Sequence, residues 1–515
     1  MKSRKQNCFT AITLLAALAI PVRLAAQGQT THFRHYNLID IGTFGGPASF
    51  INPPFNDFPV LNNHGAIVGA SATPTPTTAT SNFFVCGGGD GLVPNVFHAF
   101  KWQNDVTIDL GAFPPESENC SNAVSVNANG DTVGLSEIDE VDPLFGVKEL
   151  HGVLWTAGKM IDLGGLGGNF TIPTAINNRA QVVGGATNTI LDPFGFGTQT
   201  RAFLWERGTM QDLGTLGGPD SFAEFVNNRG QVEGASFTNA TVNAATGLPT
   251  VHPFLWTNGK MVDLGSLGGT LAGYGGNNQQ GALNNHGQVV GLSNLAGDQI
   301  ADPFFWDGAT LIDLFTTTQG ANPVTANALN DSAEIVGTAI FSDRPIADAY
   351  VWRKGVATDL GTVGDDCFSE AFAINSRRQV VGQSFSCVSN TLRSFLWENG
   401  SIVDLSAISS PNILELIDTT AINDRGEIGG VGVPPGCPNL SDALCGHAFI
   451  LIPVCADGNA GCADAPLDPA IAAQSGRSQG TAAHAMTRQQ LNAFKERISR
   501  MSGRNRGFSV QSFPK

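Results

Sequence analysis

The residues that could do chemistry are histidines, aspartates and serines, and each type recurs at fixed places instead of gathering in one motif. His98, His151, His252 and His447 open runs of the kind His252-Pro253-Phe254-Leu255-Trp256. His64 and His286 sit in Asn-Asn-His-Gly turns, and His32, His35 and His484 lie in terminal segments. A ring of imidazoles could hold a transition metal. No pair has the i,i+4 spacing of a helical metal site, however, and Arg201, Asp302, Asp348 and Arg393 replace His in other copies. Asp40, Asp109, Asp162, Asp212, Asp263, Asp313, Asp359 and Asp404 each begin a triplet related to Asp-Leu-Gly. Such carboxylates could attract a divalent cation such as calcium, but no D-x-D-x-D-G loop is present, and Asp in this setting caps turns. The serines of Gly69-Ala70-Ser71 and Gly291-Leu292-Ser293 lack the second Gly of a nucleophile elbow. The Leu-Gly-Gly loops lack the Lys and helix of a phosphate site. Glu137, Asp139, Glu140, Asp142 and Asp192, in variable stretches, are the only carboxylates that could serve acid–base work on a polysaccharide, and no spacing pairs them. The sequence therefore assigns no catalytic residue, metal ligand or cofactor, and it leaves the ligand-binding residues open.

What must position these side chains is a repeat. The Asn that begins a tight turn recurs at Asn62, Asn127, Asn177, Asn227, Asn284, Asn330, Asn375 and Asn423. The Gly closing a Val-Val-Gly run follows seven residues later each time, from Gly69 to Gly430. Around Asn284 the pattern predicts four strands, over 281–284, 288–293, 303–306 and 310–313. Asn-Gly turns join the first to the second and the third to the fourth. Four short strands per repeat of 45–50 residues point to a propeller blade. All seven Trp fall at one repeat position, with Leu451 in the eighth copy. That regularity implies packing between blades, with each indole N–H satisfied by a neighbour, and not a sugar platform.

The fold expected is thus all-β: an eight-bladed β-propeller of four-stranded antiparallel blades, with seven blades plus a degenerate unit as the alternative. Residues 36–42 supply only a fourth strand and 447–451 only a third, so pairing between them would close the ring and remove its open edges. The uniformly short 1–2 and 3–4 turns lie at one end of such a disc. The long variable connections (72–97, 137–150, 187–200, 237–251 and 433–446) are all 2–3 connections at the other, where binding surfaces are usually built.

The HAFLW-like run, the DLGxLGG segment and the AIN-x-x-GQVVG segment together resemble the HAF repeat family of extracellular bacterial repeat proteins. The resemblance covers residues 36–454. It implies a propeller-like repeat domain and an exported protein, and it implies no reaction. The departures are those at Arg201, Asp302, Asp348 and Arg393, and Leu314-Phe315 in place of Leu-Gly.

The flanks agree with export. Lys2, Arg4 and Lys5 precede an apolar stretch over 9–22 and a small-residue site before Gln27, so 1–26 reads as a signal peptide. Its removal with Cys8 leaves Cys86, Cys120, Cys367, Cys387, Cys437, Cys445, Cys455 and Cys462. An even count in an exported chain suggests disulfides, most economically between sequence neighbours, though spacing alone does not fix the connectivity. Residues 455–486 read as a stapled loop and linker. Residues 487–515 form a basic tail, with Leu491, Phe494, Ile498 and Met501 at helical spacing. The formal charge of −16 repels phosphate backbones and argues against nucleic acid. No segment offers a stable membrane span after signal cleavage.

The function expected is a secreted, non-catalytic recognition module. It would bind a glycan, a cell-envelope component or an extracellular protein through its loop-rich face. The alternatives are an extracellular polysaccharide lyase or glycoside hydrolase, and a structural surface protein.

Overall fold

A computed structural model describes residues 34–51, 59–82, 85–86, 93–194, 197–273, 281–342, 346–437, 445–455 and 466–467. The segments read as a signal peptide and basic tail, and Cys462 with its expected bridge to Cys455, lie outside these residues. The chain forms a β-propeller of successive antiparallel meanders. Around Asn284 the strands are Gly281–Leu283, Val289–Leu295, Ala301–Trp306 and Leu311–Asp313, close to the predicted spans. The N-terminal strand Arg34–Asp40 does not form its own hairpin. It pairs antiparallel with His447–Cys455, in register from Arg34↔Cys455 to Asp40↔Phe449.

The repeated glycine has a steric cause. The first strand of most meanders carries a one-residue bulge, for example between Ala123 and Ser125 and between Ala371 and Ala373. The bulge pushes its carbonyl toward the second strand. A Cβ on Gly134 would stand 1.9 Å from the Asn122 oxygen, and one on Gly382 would stand 2.0 Å from that of Glu370. Only Gly fits. The valines before it face opposite ways: Val182 packs toward the Asn127 unit, in a cluster with Val133 and Leu154, while Val183 packs toward the Asn227 unit with Ala223 and Val232.

The tryptophans fill the same seams. Trp205 joins the cluster of Val133 and Leu154, and Trp397 joins that of Val336 and Ala349, so each ring packs on the preceding unit as expected. The expected hydrogen bonds are less regular. The indole N–H groups of Trp155, Trp306 and Trp352 find no acceptor among the described residues, so apolar packing places these rings.

Adjacent units are tied together at their first turns. Each turn Asn keeps its Oδ1 for its own loop; Asn177 Oδ1 accepts the N–H of Arg179 at 2.9 Å and of Gln181 at 3.0 Å. Its Nδ2 donates to the carbonyl of the next unit's Asn. These bonds run 62→127, 127→177, 177→227, 227→284, 284→330, 330→375, 375→423 and 423→62, at 2.7–3.2 Å. A second tier joins the following residues, such as Asn178 N–H to Asn228 Oδ1 at 3.0 Å. It skips the steps where the acceptor position is Ala128 or Ser376, which carry no amide or carboxylate.

Candidate functional site

The recurring His and Asp meet across the third and fourth strands. His98 Nδ1 lies 3.0 Å from Asp109, His151 2.7 Å from Asp162, His252 2.9 Å from Asp263 and His447 2.9 Å from Asp40. Arg201 keeps the arrangement with Asp212 at 3.2 Å. The other Asp oxygen accepts a backbone N–H two residues on, as Asp162 does from Gly164 at 2.7 Å. Where the Gly is missing, Asp313 and Asp404 instead cap the helical turns Leu314–Thr317 and Leu405–Ile408. Burial works against the charge of His98, but the hydrogen bond and charge of Asp109 outweigh it and raise its pKa. The bond to Asp162 likewise raises His151. Each aspartate thus anchors its own blade, and the pairs are spread around the disc and do not converge on a metal. The repeated serines are structural too: Ser71, Ser136, Ser236 and Ser293 accept the N–H of Phe44, Phe113, Leu216 and Leu267, all at 2.9 Å.

The variable 2–3 connections are less loop-like than expected. Strands Thr132–Val141 and Lys148–Thr156, and then Val182–Leu191 and Thr198–Glu206, continue well past the glycine as hairpin arms. The five candidate carboxylates scaffold these arms or lie along them. Glu137, fully buried, accepts the backbone N–H groups of Asn82 and Cys120, and burial pushes its carboxyl up to about 7. The Cys86–Cys120 disulfide closes this corner, with its Cα atoms 5.5 Å apart. Cys86, Cys120 and Glu137 could otherwise resemble a metal-ligand set, but the sulfurs are bonded to each other. Asp142 caps Leu144 and Phe145 at 2.8 Å, Asp192 caps Phe194 at 3.0 Å, and Asp139 lies 3.8 Å from Lys148. Glu140 is exposed.

What the arms present is apolar. Leu144 is 65% exposed, Ile190 57% and Leu191 77%, with Val141 and Val242 also open to solvent. The two tips touch, since a Cβ on Gly197 would lie 3.1 Å from both Leu144 and Phe145. Sequence reasoning located these connections but missed their tips, whose signal is the apolar pairs Ile190-Leu191 and Leu144-Phe145 beside Asp-Pro turns.

Disulfides also join Cys367 to Cys387 and Cys437 to Cys445, with Cα separations of 5.8 and 6.1 Å, and suit an oxidising compartment. Among the described residues no helix is long and apolar enough to cross a membrane. One feature of the seams escaped the sequence reading. In a single unit Glu233 replaces the second Val of Val-Val-Gly, and Glu224 occupies the strand bulge beside it. Burial pushes Glu224 up to about 7 and Glu233 well above the usual carboxylate range, where the charge of Glu224 adds to the effect.

No protein-family model matches the chain, and no curated protein matches it in sequence. Several solved structures are similar in fold. The β-propeller domain of the trilobed protease from Pyrococcus furiosus is 8% identical, over 70% of this chain and 96% of that one, with a TM-score of 0.37. Dipeptidyl peptidase 4 of Porphyromonas gingivalis is 10% identical over 77% of this chain, with a TM-score of 0.42, and the match spans 58% of the peptidase. A polysaccharide lyase of the ulvan lyase type is 10% identical over 72% of this chain and all of that one, with a TM-score of 0.36.

Proposed function

We propose that the chain is an extracellular, non-catalytic recognition module, an eight-bladed propeller closed on itself, whose hairpin arms take a protein of the cell envelope or its surroundings. Closure is supported by the amide bonds that return from Asn423 to Asn62 and by the pairing of Arg34–Asp40 with His447–Cys455. Kinship with the HAF repeat proteins rests on the repeat motif alone.

The observation that carries the binding reading is the solvent-exposed aliphatic ridge of Leu144, Ile190 and Leu191. Monomeric proteins rarely leave such clusters uncovered without an interaction to cover them. The rings at the tips, Phe145 and Phe194, are half-buried against Phe170 and Phe237, which leaves the aliphatic side chains as the open surface and suits a protein partner. The nearby carboxylates Glu137, Asp142 and Asp192 already serve as backbone acceptors, which favours binding over hydrolysis.

The test is hydrogen exchange on the purified chain, with and without a detergent-solubilised envelope fraction, alongside a panel of polysaccharides monitored for chain shortening. Protection over residues 137–150 and 187–200, lost in a Leu144→Asp/Leu191→Asp variant, is the expected result. Shortening of any polysaccharide would establish an enzyme instead. Protection confined to other segments would move the site.

A further inference from the structure

The end of the disc opposite the hairpin arms carries a different chemistry. Among the described residues, the only Lys or Arg side chains at the arm-bearing end are Lys148, Arg201 and Arg393, and each has a carboxylate partner: Asp139, Asp212 and Asp366. The remaining cations lie at or beside the tight turns. The position two residues after each turn Asn reads, in chain order, His64, Asn129, Arg179, Arg229, His286, Ser332, Arg377 and Arg425. The order His, neutral, Arg, Arg occurs twice, so two cationic arcs face each other across the ring of turns, separated by Asn129 and Ser332. All eight side chains are exposed.

The arcs differ in compensation. Arg425 pairs with Glu427 of its own turn at 3.1 Å. Arg179 and Arg229 have no carboxylate within ion-pair distance among the described residues. Their guanidinium groups instead lean along the ring. Arg179 Nη1 lies 3.4 Å from where a Cβ of Gly230 would stand, and Arg229 Nη2 lies 3.5 Å from His286 Nδ1. Two like-charged neighbours held against glycine turns, without a counter-charge, form a ready cradle for anions.

We propose that this turn face binds an acidic polysaccharide, with Arg179, Arg229 and His286 as the principal cradle for its carboxylate or sulfate groups. Hydroxyl-bearing chains suit the neighbours. The exposed amides of Asn178 and Asn228 are fixed through Oδ1, which accepts the N–H of Ala128 and of Asn178, and each NH₂ donor stays outside those bonds. The turns contain no Phe, Tyr or Trp, the broad rings on which single-stranded nucleic acid stacks. The carboxylates in the same tier of turns, Asp331 and Asp424, already accept from Asn285 and from Ser376 and Asn63.

The test titrates the full chain with polygalacturonate and with heparin as the carboxylate and sulfate probes, dextran as the neutral control and duplex DNA as the competing polyanion. Polygalacturonate or heparin should bind at about 50 mM salt and weaken about tenfold or more by about 200 mM, the mark of counterion release. Arg179→Gln/Arg229→Gln should weaken binding by about tenfold or more at unchanged melting temperature, because two charge-assisted contacts are lost together. The hairpin variant Leu144→Asp/Leu191→Asp should bind the polymer as the native chain does, so failure here and failure of the arm-binding reading are separable. No binding by either acidic polymer, equal binding by the Arg variant, equal binding of dextran, or tighter binding of duplex DNA would each overturn the proposal.

Discussion

The two ends of the disc use the same strands differently. At the turn end, the Asn side chain satisfies its own loop and the next unit's carbonyl together, so every copy must keep it and its neighbours must match. At the arm end the third strand begins and the fourth strand ends, and the recurring devices are the His–Asp or Arg–Asp contact within a meander and serine hydroxyls that accept an N–H across the seam, as Ser221 does from Ala202 at 2.9 Å. Bonds between units tie sequence to the ring. The residues of the 2–3 connection take part in neither arm-end device, so that connection is free to grow, as it does in the arms ending at Val141 and Leu191. Regularity within this chain therefore marks where units depend on one another, and irregularity marks where they do not.

The sharpest way to break that contrast is to remove one turn-capping side chain from each end. Asn177→Ala deletes two buried backbone acceptor contacts and the donor to Asn227, leaving polar groups unpaired in a seam. It should cost about 2–4 kcal/mol in a urea melt. Asp192→Ala deletes the cap on Phe194 within one arm and should cost no more than about 1 kcal/mol. Equal costs would mean that the turn ring does not hold the units together.

A smaller effect should come from the seam that holds Glu224 and Glu233 side by side. Glu224 and Glu233 have carboxyls raised above their unfolded values, so their neutral forms favour folding. Their favourable contribution is complete below about pH 4 and disappears as pH rises through the folded pKa of Glu224, near 7. Glu233→Gln should therefore raise stability by about 1–2 kcal/mol at pH 8 and leave it nearly unchanged at pH 4. Melting curves at the two pH values decide it. A variant destabilised at pH 8 would show that the charged carboxylate has a stabilising partner in the seam.

Much of this was legible in the sequence, for identifiable reasons. The strands and turns around Asn284 and the pairing of the first and last strands followed from the repeat spacing, and the three disulfides within the described residues join the sequence neighbours that economy favours. Spacing carries such features because each is local or repeated. The Asn cycle was not legible, since the side chain that fills a turn and the one that bridges units are the same residue. The apolar tips were missed because Ile190 and Leu191 fall in a stretch read as a variable connection, and its periodicity does not show that the strand continues into an exposed arm. The cationic arcs were hidden by the net charge of −16, an average that does not register which end holds the arginines.

The smallest expected effect concerns the residue type with which the chain first invites a chemical reading. In the His151–Asp162 pair the histidine pKa is raised and the aspartate pKa lowered. The histidine's contribution to stability is present below its unfolded value of about 6.5 and fades as pH rises through its higher folded value. That of the aspartate is present above about 3.8 and fades as pH falls through its lower one. The pair is strongest between, near about pH 5–6. His151 and Asp162 are 30% and 42% exposed, so solvent screening keeps the contact below about 1 kcal/mol. His151→Gln should then destabilise by a few tenths of a kcal/mol near pH 5.5 and by less at pH 8.5. The imidazole also meets the Phe113 ring edge-on, with centroids 6.2 Å apart. A loss equal at both pH values would assign the recurring His to that packing and leave the charge without a role. A loss confined to the lower pH would explain why Arg201, with its permanent charge, can take the same position.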